Sequence, residues 1–121
     1  MGTVLVVEDS ATDMQIIINC LQQGGINVLT ADSGEAALEK LNTHKPDVIV
    51  LDVVLPGCSG FEVCRDLKAA ANTSKIPIVI CSTKSGEMDK FWGMKQGADA
   101  YLAKPVDQEE LLRTVKQLTL R

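Results

Sequence analysis

The sequence predicts an α/β fold: a doubly wound, five-stranded parallel sheet in the order 2-1-3-4-5, covered by five helices. Three observations predict it. Five short, mostly β-branched apolar runs alternate with five segments of helical spacing, the pattern of a parallel sheet with right-handed crossovers. The third run, Val48 to Leu51, is apolar at every position, as in a strand covered on both faces. Four of the runs lead into polar residues, namely Glu8-Asp9, Asp52, Ser82 and Lys104. The carboxyl ends of strands are where open α/β sheets bind ligands. Alternation alone does not set the strand order; of the two common doubly wound orders, 2-1-3-4-5 suits five strands better.

Each element has its own signals. Thr3 to Val7 is the first strand. Ser10 or Thr12 can cap a helix to about Gln23, with Met14, Ile17, Ile18 and Leu21 at helical spacing, and Gly24-Gly25 stops it. Ile26 to Thr30 is a shorter second strand. Ser33 caps a helix through Leu41, with Glu35 at its acidic start and Ala36, Ala37, Leu38 and Leu41 expected to face inward. Pro46-Asp47 turns the chain into Val48 to Leu51, and Pro56-Gly57 turns it out again. Ser59-Gly60 opens a helix to about Ala71, striped by Phe61, Val63, Cys64 and Leu67. Ile76 to Cys81 is the fourth strand, entered through Pro77. Ser85 is expected to cap a helix to Gln96, ended by Gly97. Ala100 to Ala103 is a short fifth strand. Asp107 caps the last helix, Gln108 to about Leu120, with Leu111, Leu112, Val115 and Leu118 apolar.

The length of 121 residues suits one domain, expected over 1–121 without repeat or linker. Hydrophobic residues make up 45% and aromatics 3%, so the core is aliphatic. The net charge of −4, with scattered basic residues, argues against binding nucleic acid or an anionic membrane. No apolar run has the length of a transmembrane helix, and the start lacks the pattern of a signal peptide or a myristoylation signal. Cys20, Cys58, Cys64 and Cys81 form no C-x-x-C pair and His44 is the only histidine, which argues against zinc. The cysteines read as reduced thiols of a cytoplasmic protein. Cys20 and Cys81 read as small core residues and Cys58 as a loop thiol.

In a parallel sheet all carboxyl ends point the same way. In the order 2-1-3-4-5 the first and third strands are neighbours, so Glu8, Asp9 and Asp52 crowd one crevice. Ser82 and Lys104 stand on its far side. Carboxylates at short range repel one another unless a cation offsets them. Mg²⁺ favours a few carboxylates, a carbonyl and waters. Beside hydroxyl and ammonium donors, such a site has the parts to stabilise a transferred phosphoryl group.

At these residues the chain resembles the receiver domains of two-component response regulators, chemotaxis type included, over essentially its whole length. The carriers are Val4-Leu5-Val6-Val7-Glu8-Asp9, Asp52 with Leu55-Pro56-Gly57 and Gly60, Ile76-Pro77-Ile78-Val79-Ile80-Cys81-Ser82, and Gly97-Ala98-Asp99-Ala100-Tyr101-Leu102-Ala103-Lys104-Pro105. The fold implied is flavodoxin-like. The resemblance implies that Asp52 is the phospho-acceptor and that Mg²⁺ is held by Glu8, Asp9, Asp52 and the backbone carbonyl of Val54. It makes Ser82 the switch hydroxyl, Lys104 the phosphate-pairing cation and Tyr101 the switch aromatic, with a cis peptide between Lys104 and Pro105. Ser82 departs from the commoner threonine and lacks its methyl group. Val54 and Lys84 stand where receivers tune the lifetime of the phosphorylated state. Asp89, Trp92-Gly93-Met94, Gln96-Gly97-Ala98 and Pro105-Val106 look more narrowly like stand-alone receivers of type IV pilus, twitching-motility pathways.

The function this implies is a phosphorylation-switched binding module that modifies itself but turns over no other substrate. Its expected partners are a histidine kinase or phosphotransfer protein and a downstream protein that meets the fourth helix, fifth strand and last helix. A monomer is expected, with no output domain. Two other classes share the topology. A phosphatase with an aspartate nucleophile would carry a second acid two positions on, where this chain has Val54. A flavin carrier would need a phosphate-binding loop after the first strand, where this chain has Glu8-Asp9. No G-x-x-x-x-G-K-[ST] motif supports a nucleotidase.

Overall fold

The computed structural model describes residues 2–120. Five strands alternate with five helices: β1 (Thr3–Val7), α1 (Ala11–Gln23), β2 (Asn27–Ala31), α2 (Gly34–Thr43), β3 (Val48–Leu51), α3 (Gly60–Ala69), β4 (Ile78–Ser82), α4 (Glu87–Lys95), β5 (Ala100–Ala103) and α5 (Gln108–Thr119). All strands are parallel, in the order β2-β1-β3-β4-β5. This is the expected doubly wound sheet.

The strands divide the core by their side-chain alternation. Val4, Val6, Val48, Val50, Val79 and Cys81 face α1 and α5, where Ile17, Leu21, Leu111 and Val115 cover them. Leu5, Val7, Ile49, Leu51, Ile78 and Ile80 face the opposite layer, where Ala37, Val63, Cys64 and Leu67 cover them. All four residues of β3 are buried, as their continuous apolar run required.

Most helix ends follow their sequence signals. The Ser10, Ser33 and Asp107 side chains accept from backbone N–H groups of α1, α2 and α5. The Ser59 hydroxyl does so for α3. Gly25 and Gly97 take φ values of +78° and +102° where α1 and α4 stop, a region costly for other residues.

The differences have local causes. Ser85 does not cap α4; Gly86 takes that position, and its N–H donates to the Asp89 carboxylate 3.2 Å away. β4 starts after Pro77, which lacks an N–H for the ladder. β2 is shifted one residue on, to Asn27–Ala31, α2 continues to Thr43 and α3 stops at Ala69. Leu38 does not face inward but is 52% exposed. Gly34 and Ala37 hold the buried side of α2, and Leu38 lies about 100° round the helix from Ala37.

At the end of the sheet opposite Asp52, a polar tie joins α3 to β4. Lys68 Nζ donates to the Ile76 carbonyl at 2.9 Å and to Asp99 Oδ2 at 3.0 Å. The same oxygen accepts the Ile78 N–H at 2.8 Å.

Candidate active site

Strand register sets the site. Val7 pairs with Leu51, so the next residues, Glu8 and Asp52, emerge side by side from β1 and β3. The ladder extends through both: the Asp52 N–H donates to the Val7 carbonyl and the Glu8 N–H to the Ala31 carbonyl, each at 3.0 Å. Ser82 was expected just past its strand but is the last residue of β4, paired with Ala103. The Lys104 N–H donates to the Ser82 carbonyl at 3.0 Å, which aligns the end of β5 with that of β4. The Lys104–Pro105 peptide is cis.

Lys104 is the hub. Its Nζ donates to Glu8 Oε1 at 2.5 Å, Asp13 Oδ2 at 2.8 Å and Asp52 Oδ2 at 2.9 Å. The Lys104 side chain is 5% exposed and that of Glu8 2% exposed. Burial would depress the lysine's pKa, but its hydrogen bonds to three carboxylates outweigh it and hold the pKa above the ordinary value. Burial also acts upward on Asp52. Hydrogen bonds from Lys104, Ser82 and the Val54 N–H outweigh it, and the Asp52 carboxyl lies below its ordinary range. Glu8 goes the other way: burial raises it, and its hydrogen bonds to Lys104 and the Ser10 N–H only partly compensate.

Asp13 belongs to this cluster and is absent from the sequence reading. Ser10-Ala11-Thr12-Asp13 has the spacing of a capping box, in which the acid bonds back to the cap residue's own N–H. Only half of that box forms. The Ser10 hydroxyl accepts the Asp13 N–H at 3.2 Å, but Glu8 Oε2 takes the Ser10 N–H at 3.1 Å. The Asp13 carboxylate is directed to Lys104 instead. An acid at this position, with a glutamate just past the preceding strand, is the signal that could have found it.

The other expected residues divide. The Val54 N–H donates to Asp52 Oδ1 at 3.2 Å, while Val54 itself is 54% exposed. Lys84 touches the site through its backbone: its N–H donates to Ser82 Oγ at 3.2 Å, and its carbonyl accepts the Tyr101 hydroxyl. The Tyr101 ring fills the notch at Gly93, where an added Cβ would lie 2.7 Å from it. Asp9 is exposed. Among the described residues no group of three or more carboxylates, thiols or imidazoles is arranged to hold a metal ion. Glu8 and Asp52 are turned to Lys104 instead. The donor chemistry nevertheless fits a hard divalent cation, because the buried carboxylates of Glu8 and Asp52 meet at one ammonium and the exposed Asp9 carboxylate follows Glu8 directly.

No helix among the described residues is long and apolar enough to cross a membrane. Cys20, Cys64 and Cys81 are buried free thiols and Cys58 is half-buried. On α4 only Gly93 is buried, while Met88, Phe91, Trp92 and Met94 are exposed.

Comparison with known proteins adds an independent line. A family model described as response regulator receiver domain matches residues 4–116. The chain is 44% identical to Protein PilH of Pseudomonas aeruginosa over 115 residues, which cover 95% of each chain. It spans about half the length of other curated relatives, such as the alkaline phosphatase synthesis transcriptional regulatory protein PhoP of Bacillus subtilis (40% identity, 98% of this chain, 48% of that protein). Among solved structures it is similar to a putative response regulator from Chloroflexus aurantiacus, with a TM-score of 0.95 and 33% identity over 99% and 98% of the two chains. It is also similar to the receiver domain of the sensor histidine kinase PA1611 from Pseudomonas aeruginosa (TM-score 0.90, 26% identity, 99% and 98% coverage). That structure is described with a magnesium ion coordinated in the active site cleft.

Proposed function

Because the chain belongs to the response regulator receiver family, we propose that Asp52 accepts a phosphoryl group from the phosphohistidine of a histidine kinase or phosphotransfer protein. The observation that carries this assignment is Lys104 Nζ lying 2.9 Å from Asp52 Oδ2 at the carboxyl end of β3. An Asp52 oxygen attacks phosphorus as the bond from phosphorus to the imidazole nitrogen breaks. The imidazole leaves with the electron pair and takes up a proton. The lowered pKa of Asp52 keeps it in the nucleophilic, ionised form, and the raised pKa of Lys104 keeps that group cationic. Lys104 then donates to an oxygen of the moving phosphoryl group.

Glu8, Asp9, Asp52 and the Val54 carbonyl are the residues that would hold Mg²⁺. Bound there, the ion would supply charge neutralisation at the phosphoryl oxygens. The protein is a regulator, and its one reaction is its own phosphorylation and dephosphorylation. Output follows from Ser82 and Tyr101, which already meet at Lys84: one accepts its N–H, the other donates to its carbonyl. A shift of the Ser82 hydroxyl toward the phosphoryl group is passed to Tyr101 and thence to α4, β5 and α5. The exposed apolar side chains of α4, with Met88 at 77% and Trp92 at 53%, support a protein partner on this surface. The similarity to Protein PilH supports a place in pilus-based motility. A phosphatase reading lacks its second acid, since Val54 stands at that position.

The test is labelling with acetyl phosphate in Mg²⁺. Wild type is expected to form an acid-stable, base-labile acyl phosphate and Asp52→Asn none. Undiminished labelling of Asp52→Asn overturns the assignment.

A further inference from the structure

The reaction described above assigns nothing to Asp13, yet Asp13 binds the ammonium at the centre of the site. An ammonium has three N–H donors. Lys104 spends all three, one each on Glu8, Asp13 and Asp52. Its side chain is 5% exposed, so water has little access to replace a lost acceptor. Two of the three acceptors have other work during the reaction. Asp52 becomes an acyl phosphate, and Glu8 is a candidate metal ligand. Asp13 is the acceptor left over.

Asp13 is also built for the position. It lies in the first turn of α1, and its backbone N–H is taken by the Ser10 hydroxyl. Glu8 satisfies the Ser10 N–H that Asp13 would otherwise bond. The carboxylate therefore has no local partner to draw it back, and it reaches Lys104 across 91 residues of sequence. Its side chain is 36% exposed, so it has solvent contact while Lys104 has almost none.

We propose that Asp13 is the positioning residue for Lys104, holding the ammonium in the crevice while the group at Asp52 changes from carboxylate to acyl phosphate. Only one of the three hydrogen bonds then has to move: the N–H aimed at Asp52 Oδ2 passes to a phosphoryl oxygen. Without Asp13, the lysine enters the phosphorylated state with one of its three donors unmatched. This inference rests on the reading that Asp52 is the phospho-acceptor.

The experiment uses the full chain with ¹⁵N-labelled lysine, first without metal. A buried, fully bonded ammonium exchanges its protons slowly and gives a resolved ¹H–¹⁵N signal, assigned to Lys104 by its loss in Lys104→Arg. Asp13→Ala is expected to shift or broaden that signal, and Asp13→Asn, which keeps an acceptor oxygen, to fall between. Labelling with acetyl phosphate in Mg²⁺ is expected to slow about tenfold in Asp13→Ala, the effect of losing one charge-assisted hydrogen bond. Asp13→Asn recovers part of the rate, and circular dichroism checks that both variants fold. An unchanged ammonium signal in Asp13→Ala, or labelling as fast as or faster than wild type, overturns the positioning role. Wild-type protein that is not labelled, or that is labelled equally after Asp52→Asn, overturns the phospho-acceptor reading itself.

Discussion

Gly60 lies against the backbone of Asp52: a Cβ added at Gly60 would sit 2.0 Å from the Asp52 carbonyl oxygen and 2.8 Å from its carbonyl carbon. The Gly60 N–H also donates to the Val53 carbonyl at 2.8 Å. The first turn of α3 is therefore in direct contact with the backbone of Asp52, the proposed phospho-acceptor.

Gly60→Ala should push this turn away from Asp52, because the obstacle is backbone and not a flexible side chain. The expected loss is about 3 kcal/mol or more of unfolding free energy, at the upper end for single substitutions. Labelling of the folded fraction should also fall, since Asp52 is displaced from Lys104. Urea unfolding and acetyl phosphate labelling of Gly60→Ala check both. A variant as stable and as reactive as wild type would show that the contact relaxes freely.

Asp9→Ala should weaken Mg²⁺ binding, because it removes a hard oxygen donor from the mouth of the crevice. The Lys104 cluster does not include Asp9, so thermal stability without metal should stay within about 0.5 kcal/mol of wild type. Calorimetric titration with Mg²⁺ measures the first effect and thermal unfolding the second. Equal Mg²⁺ affinity in the two proteins would remove Asp9 from the ligand set.

The chain has one tyrosine, so absorbance at the phenolate band reports Tyr101 alone. Burial, with the nearby negative groups Asp89 and Asp52, pushes its pKa up to about 12 from 10.0. The hydroxyl also donates to the Lys84 carbonyl, which favours the neutral form. A raised folded-state pKa gives stability that is complete below the unfolded value and is lost as pH rises through the folded one. Stability from this group should therefore be constant below pH 10 and fade toward pH 12. Spectrophotometric titration of native protein should show the delayed ionisation. A midpoint at the ordinary value would mean that Tyr101 is not held as described.

Hydrolysis of the acyl phosphate needs water in line with the bond to Asp52. Val54 offers that water no side-chain hydrogen bond, and Lys84 donates but cannot accept a proton. Fast-cycling receivers of the chemotaxis type, which the chain resembles, carry an amide and an acid at these positions. Val54→Asn/Lys84→Glu is expected to speed decay of the isolated phosphoprotein roughly tenfold, the effect of about 1.4 kcal/mol. Single-turnover decay measures it; equal lifetimes would exclude these two positions as the control.

Much of this was legible in the sequence because it is local or periodic. The all-apolar Val48–Leu51 could only be a covered strand, and strand ends in a parallel sheet share one side, which gathered Glu8, Asp52, Ser82 and Lys104. Polar spacing misled where two readings compete. Ser85 resembled a cap, yet its hydroxyl turns back to the Thr83 carbonyl and Gly86 takes the cap position. Asp13 was hidden because its residue type at that spacing already has a local explanation. Its partner, Lys104, is set by the register of β4 with β5 and not by anything near it in sequence.

The alternation that separates the two core layers also determines where the chain can accept a change of length. In β4, Ile78 and Ile80 face one layer while Val79 and Cys81 face the other. One residue added within this strand would exchange the two sets and turn Ser82 away from Asp52. Both packing and chemistry would be lost to a single codon. The same codon inserted in the exposed stretch 70–72, between α3 and β4, leaves the alternation of the strand unchanged. The parity of each strand, counted from its carboxyl end, is thus the quantity that insertions must respect, and library designs on this scaffold should vary length only between strands.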